Sequence, residues 1–190
     1  MENLISIFIG IGLSAASGFR IFIPFLILGI AVNMGLLNID SSFVWLSSIQ
    51  AVILFALATL IEVAGYFNPW VDNMLDTITT PFSIIAGTIL SFSVITGIDP
   101  FFKLILSFII GGLIAADFQF LSVKARSISS VFQGGLGNPF ISGMELIFSI
   151  LLSIFSILLP VTSFIIVITL MISLYVILKN AKARLNEKFY

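Results

Sequence analysis

Residues 4–32 read LISIFIGIGLSAASGFRIFIPFLILGIAV, a run of apolar and small residues broken by one charge, Arg20. A bilayer-spanning helix needs about 20 mainly apolar residues, so this stretch is long enough to cross a membrane. The small residues at 14–18 and the charge at Arg20 mark a place where its helix can break. Read as a cleaved leader, the segment has an apolar stretch of suitable length at 4–13 and small residues at 14–17. The residues before it, however, include Glu2 and no Lys or Arg, and hydrophobicity resumes at once after Arg20. The segment is therefore expected to remain as the first span.

The rest of the chain has the same character. Of 190 residues, 59% are hydrophobic and 9% charged, with 20 Phe. Soluble domains average roughly 45–50% apolar and about 25% charged. Mean hydropathy is +1.24. Eight basic and nine acidic residues could not solvate a soluble protein of this size. The composition excludes a soluble enzyme, a nucleic-acid binder and a disordered chain. Cysteine and histidine are both absent, so no disulfide, Cys/His zinc site, thiol nucleophile or His general base is available. No nucleophile–base pair can be named, so no catalytic residue, metal or cofactor is expected.

Further apolar runs lie at 44–66, 82–98 and 101–121. Residues 144–178 form a run too long for one crossing, and Pro160 divides it into 144–159 and 161–178 across a very tight turn. The polar stretch 68–80 suits a short interfacial helix, and 122–143 is the longest region that is not plainly a span. The expected fold is therefore all-α: a polytopic transmembrane bundle of about six spans in one domain, 1–178, with a basic tail at 179–190. Six spans place both termini on one side. Lys124, Arg126, Lys179, Lys182, Arg184 and Lys188 then all fall on the side of the N-terminus, and only Lys103 falls opposite. By the positive-inside rule this predicts N-in, C-in topology.

Two short patterns recur. Gly12-Leu-Ser-Ala-Ala16 is echoed by Gly112-Leu-Ile-Ala-Ala116, and Gly65-Tyr-Phe-Asn-Pro69 by Gly135-Leu-Gly-Asn-Pro139, with Met74 and Met144 at matching offsets. These echoes are compatible with a degenerate internal repeat, the architecture of many transporters. Chance recurrence of small residues and Asn-Pro is the alternative. On the six-span reading the two Gly-Leu helices run in opposite directions.

Ionisable groups in a membrane are costly, so each is a functional candidate. Arg20 cannot deprotonate and needs a carboxylate, carbonyls or an anionic ligand. Either it holds a charged ligand group, with Ser14 and Ser17 nearby, or it forms a buried ion pair with Glu62 or Asp117. Asp72 and Asp76 are spaced i, i+4 and share a helix face, which suits a cation or proton site or simply a solvated face. Lys124, Arg126, Ser127, Ser129, Ser130 and Asn138 could build a nest for phosphate or a lipid headgroup. They also read as ordinary orientation determinants followed by a loop. Glu145, just after Gly143, favours a helix N-terminus electrostatically.

The segment Gly12-Leu-x-Ala-Ala-x-Gly18-x-Arg20-x-Phe22-x-Pro24, with Glu62, Asp72-x-x-x-Asp76, Pro81, Ala86-Gly87, Lys124, Asn138 and Ser142-x-x-Glu145, resembles the membrane family known as domain of unknown function 4126. The resemblance covers most of the chain, and the segment around Arg20 is its most specific part. Members often carry an acidic pair where this chain has Glu145-Leu146. The resemblance implies a bacterial integral membrane protein, and groups Arg20, Glu62, Asp76, Lys124 and Glu145 in one constellation.

The function expected first is a small transporter or channel-like permease in the bacterial cytoplasmic membrane, with its site at Arg20, Glu62, Asp72, Asp76, Asp117 and Glu145. The alternatives are a binder or translocase of anionic lipid headgroups and a non-transporting assembly partner. Expected partners are the bilayer, a bound lipid, an unidentified solute or ion and a second copy in a homodimer, with no nucleic acid.

Overall fold

The computed structural model describes the backbone of residues 2–66, 69–133 and 137–188. Within these ranges, the side chains at 2, 69–70, 72–76, 128, 130–133, 174 and 177–188 fall outside that description. Among the described residues every regular element is helical. The helices are α1 (Glu2–Phe19), α2 (Phe22–Asn33), α3 (Ile49–Tyr66), α4 (Pro69–Val94), α5 (Pro100–Ser107), α6 (Leu113–Gln133), α7 (Asn138–Leu158) and α8 (Pro160–Lys188). A 3-10 turn, Ser41–Ser47, precedes α3, and a π-helical turn, Phe108–Gly112, joins α5 to α6. Four stretches are long and apolar enough to cross a membrane alone: Ile49–Tyr66, Thr77–Val94, Pro100–Ser127 and Asn138–Leu158. Large side chains such as Leu54, Leu60, Ile61, Phe101 and Phe102 point outward and are more than half exposed. Such a surface suits lipid, because a soluble monomer rarely shows large contiguous apolar patches.

The opening apolar run is two antiparallel helices. A proline ring inside a helix clashes with the carbonyl four residues earlier. For Pro24 that carbonyl belongs to Arg20, so α1 stops at Phe19 and α2 restarts at Phe22. There Pro24 falls in the first turn, where a missing N–H costs nothing. At its start α1 lies beside the end of α4, since a Cβ on Gly97 would meet the Asn3 side chain. It then descends past Ser91 and Gly87 to Arg20. The return along α2 is marked by Phe22 beside Glu62, Phe25 stacked on Phe55 at 5.2 Å, and Gly29 against Leu46 and Val52. By itself α2 spans only about 18 Å at 1.5 Å per residue, and the loop to Asp40 completes the return. There the Asp40 N–H donates to the Ser93 carbonyl at 2.8 Å, and Lys103 pairs with Asp40 at 2.6 Å.

This geometry corrects the expected topology. The run 4–32 is a helical hairpin and not one span, so among the described residues seven apolar helical segments run along the bundle. Four are the long spans and three the shorter apolar helices Asn3–Phe19, Phe22–Asn33 and Pro160–Ser173. The start of α1 and the end of α8 consequently lie towards opposite faces, against the expectation of termini on one side. The direction of α8 is set by Phe164 stacked on Phe8 at 4.4 Å and by Val167 packed with Ile11 and Ala15. Polar residues from 69 onward and the run from 82 to 94 belong to a single helix, α4, which continues through Pro81 and ends at Val94. The two Gly-Leu segments run in the same direction, because both run against α4: Gly10 and Ser14 lie beside Ser91 and Gly87, and Gly111 and Gln119 beside Ser91 and Thr79.

The hub of the bundle is α1. One core cluster joins Ile9 and Leu13 to Leu28, Phe55 and Leu90, and a second joins Ala15 and Ala16 to Phe118, Leu152 and Val167. Lipid tails are as apolar as leucine, so membrane helices associate through close packing and hydroxyl bonds. Gly18 shows the requirement: a Cβ there would stand 2.5 Å from the Ala115 carbonyl oxygen. Ser14 donates to the Gly87 carbonyl at 2.8 Å, and Ser149 to the Ala16 carbonyl at 3.0 Å.

Candidate functional site: a buried arginine–carboxylate cluster at a helix break

Breaking the chain at Arg20 frees backbone N–H groups at the start of α2. The carboxylate of Glu62, on the last turns of α3, accepts both: Ile21 N–H at 2.9 Å and Phe22 N–H at 3.3 Å. A side chain from another helix thus performs the task of a cap. Unpaired backbone groups are costly in an apolar setting, and this contact makes the break tolerable.

Arg20 itself is 1% exposed. Its Nη2 donates to the Ser142 carbonyl at 3.0 Å and to the Ser142 hydroxyl, and lies 3.3 Å from Glu145 Oε2. Arg126, from α6, brings Nη1 to 3.5 Å from the same Glu145 oxygen. Both guanidinium carbons lie over the Tyr66 ring, at 3.9 Å for Arg20 and 4.4 Å for Arg126. One carboxylate oxygen therefore faces two arginines that share an aromatic surface. Among the described residues, Nε and Nη1 of Arg20 make no hydrogen bond. Stacking on Tyr66 supplies part of the missing stabilisation, as cation–π contacts gain strength when desolvated. The cluster joins α1, α3, α6 and α7, each by a side chain that is almost fully buried.

The remaining candidates separate. Glu62 and Glu145 come to Arg20. Asp117 does not: it is exposed on the outer stripe of α6 with Leu113, Phe120 and Lys124. Ser14 and Ser17 lie further up α1, where Ser14 bonds Gly87 and Ser91 and Ser17 bonds its own helix. Lys124 and Arg126 are two residues apart and therefore diverge. Arg126 turns inward, whereas Lys124 is exposed with its Nζ 4.3 Å over Phe120. Ser127 is also exposed and bonds the Val123 carbonyl at 2.8 Å. Ser129 and Asn138 are buried. The expected anion nest is thus divided between inner and outer surfaces. The side chains of Asp72, Asp76 and Ser130 lie outside the described residues.

Sequence reasoning missed Tyr66 and Ser142, and it missed the pairing of Arg126 with Glu145. Helical spacing carries the signal. Gln119, Ser122, Arg126 and Ser129 are all buried and follow one stripe of α6, and Asn138, Ser142, Glu145, Ser149, Ser153 and Ser156 follow one stripe of α7. In lipid a polar stripe marks the inner face. Gln119 Nε2 also donates to Thr79 at 2.8 Å, tying α6 to α4 above the cluster.

Beside the cluster, α2, α3 and α4 diverge around a crevice of about 630 Å³. Phe22, Phe25, Ala58, Ile61 and Phe82 line it, and Glu62 stands in its wall.

A family described as domain of unknown function (DUF4126) matches residues 7–180, which include the whole cluster. No curated protein and no solved structure matches the chain.

Proposed function

We propose that this chain, which belongs to the family described as domain of unknown function (DUF4126), is a carrier-type permease that handles its solute at the tip of the α1–α2 hairpin. One observation carries the reading. The chain turns back between α1 and α2 at one end of the bundle, and buried arginines and carboxylates from that turn and from α3, α6 and α7 converge there. The turn supplies free backbone groups and helix ends with fixed dipoles, the same elements from which the discontinuous helices of many carriers build their sites. Two arginines beside one carboxylate are an expensive way to pack helices. They are a sound way to build a site whose charges rearrange when a solute enters.

In this reading the protein sits in a bacterial cytoplasmic membrane, with the Arg20 end of α1 towards the cytoplasm. Lys124, Arg126 and the basic residues of α8 lie towards that face, while Lys103 at the other is neutralised by Asp40. The positive-inside rule then gives N-out, C-in. No bond chemistry is assigned.

Reconstitution tests the proposal. Liposomes carrying the purified protein are assayed for movement of sodium, chloride, inorganic phosphate, protons and tetraphenylphosphonium. At least one should move faster than in empty liposomes. Arg20→Gln should slow it ten-fold or more, and Lys124→Gln should leave it unchanged. Flux of every probe equal to that of empty liposomes, or an unaffected Arg20→Gln protein, refutes the reading.

A further inference from the structure

The crevice between α2, α3 and α4 is long as well as apolar. The residues of α4 that line it run from Val71 to Ile89, a rise of about 27 Å at 1.5 Å per residue. That is most of the roughly 30 Å hydrocarbon core of a bilayer. Ile61 of α3 and Phe82 and Ile85 of α4 flank it, each more than half exposed. Its mouth therefore opens sideways onto the surface that faces lipid. Among the described residues that line it, Glu62 and Thr79 are the polar side chains, and both are committed elsewhere. The Glu62 carboxylate accepts the Ile21 and Phe22 N–H groups. The Thr79 hydroxyl accepts from Gln119 Nε2 at 2.8 Å. An ordered water needs two to four polar partners, and the wall offers almost none. A void of about 630 Å³ would forfeit dispersion contacts along its whole lining. The crevice suits neither water nor a vacuum.

We propose that this crevice holds an acyl chain of a bilayer phospholipid, which packs between α4 and the α2–α3 pair. A solute with a charge or a hydrogen-bonding group would bring a polar atom that nothing in the wall satisfies. A hydrocarbon chain brings none. An occupant that must extend along a membrane-spanning helix and lie within the hydrocarbon has the shape and direction of the lipid tails around it. Apolar burial does not hold the chain there, since the bilayer is as apolar as the wall, and retention rests on close packing. Three helices surround a chain in the crevice, whereas lipid on the outer surface touches fewer. The extra dispersion contacts make this chain the slower to exchange. The assignment goes beyond the carrier reading and does not depend on it.

Native mass spectrometry of the purified protein in mild detergent, titrated with phospholipid, tests the assignment. Dioleoylphosphatidylglycerol and dioleoylphosphatidylcholine share their chains and differ in headgroup charge. Both should bind one tight site, with affinities within three-fold of each other. Dihexanoylphosphatidylcholine keeps the headgroup and shortens the chains, and should bind at least ten-fold more weakly. Ala58→Phe fills the crevice and should weaken tight binding ten-fold or more. Ala64→Phe adds the same ring to an exposed position of α3 outside the crevice and should leave binding unchanged. The comparison of chains uses the wild-type protein, which covers the case in which Ala58→Phe fails to fold. The proposal is overturned by equal binding of the short-chain lipid, by a larger preference for one headgroup, or by the absence of a tight phospholipid. Undiminished binding in a folded Ala58→Phe protein also overturns it. So does a dimer that Ala58→Phe dissolves, because a second copy would then cover the crevice.

Discussion

Replacing Glu145 with glutamine removes one negative charge and leaves the shape of the side chain nearly unchanged. In the native bundle a single oxygen of Glu145 lies 3.3 Å from Arg20 and 3.5 Å from Arg126, and all three side chains are at most 5% exposed. The variant takes from two buried guanidinium groups the carboxylate they share, while Ser142 and the Tyr66 ring stay in contact. Breaking a buried ion pair by deleting one partner costs about 3–5 kcal/mol, and here two pairs lose the same partner. We expect a loss at or above that range, read as the midpoint shift and slope of denaturant unfolding in detergent micelles. Adding Arg126→Gln to Glu145→Gln should recover part of the loss, because it removes one of the two charges that faced the lost carboxylate. The cycle should give a coupling energy within the roughly 0.5–3 kcal/mol seen for residues in contact. Lys124→Gln is the control and should lie within about 0.5 kcal/mol of wild type, as exposed positions do. A Glu145→Gln loss below about 1 kcal/mol would refute the argument, since the arginines would then be solvated rather than held by the carboxylate.

Two further outcomes are expected. The chain has no cysteine, so single replacements at Asn3 and Lys124 provide clean labels. An impermeant maleimide applied to intact cells should react at position 3 and not at 124, whereas labelling of both from one side would contradict the hairpin. The Lys103 ammonium bonded to Asp40, helped by the Ser42 N–H, holds the Asp40 carboxyl below the usual carboxylate range. A depressed folded-state pKa contributes stability above the unfolded value of about 3.9, and that contribution is lost as pH falls through the lower folded value. Wild type should therefore lose stability more steeply than Asp40→Asn as pH drops below about 4, and equal slopes would show that the pair contributes nothing there.

Much of this organisation can be read from the residues alone. Apolar runs and scarce charge specify a helical membrane protein, and Arg20 stands out because nothing else charged lies within its run. The hairpin is harder to see, because the residue that enforces the break, Pro24, acts on the carbonyl four positions earlier. A charge in an apolar run also suggests a position near the midplane of one continuous helix. Here it marks the end of about 27 Å of helix, at 1.5 Å for each of the 18 residues of α1. Asp117 and Arg126 illustrate the limit of counting charges. Both lie on α6, yet helical rotation sends Asp117 outward and Arg126 inward. The buried stripe through Gln119, Ser122 and Ser129 distinguishes them, and it emerges only when charges are read with their neighbours at helical spacing. Tyr66 follows Glu62 by one turn, but its service to two arginines depends on which helices meet, and that is a property of packing.

The central position of α1 has a consequence for how the protein is made. It is synthesised before the helices it packs against, and from Ile9 to Gly18 every residue is buried. Several of its closest partners, Ala115, Phe118, Leu152 and Val167, are about 100 residues or more away in the chain. A nascent chain that has inserted only its early helices therefore offers a serine- and glycine-bearing surface to lipid, with a guanidinium awaiting a carboxylate 125 residues downstream. Assembly must wait for α7 and α8, so shortening the chain from its C-terminal end should strip the shelter from its first helix.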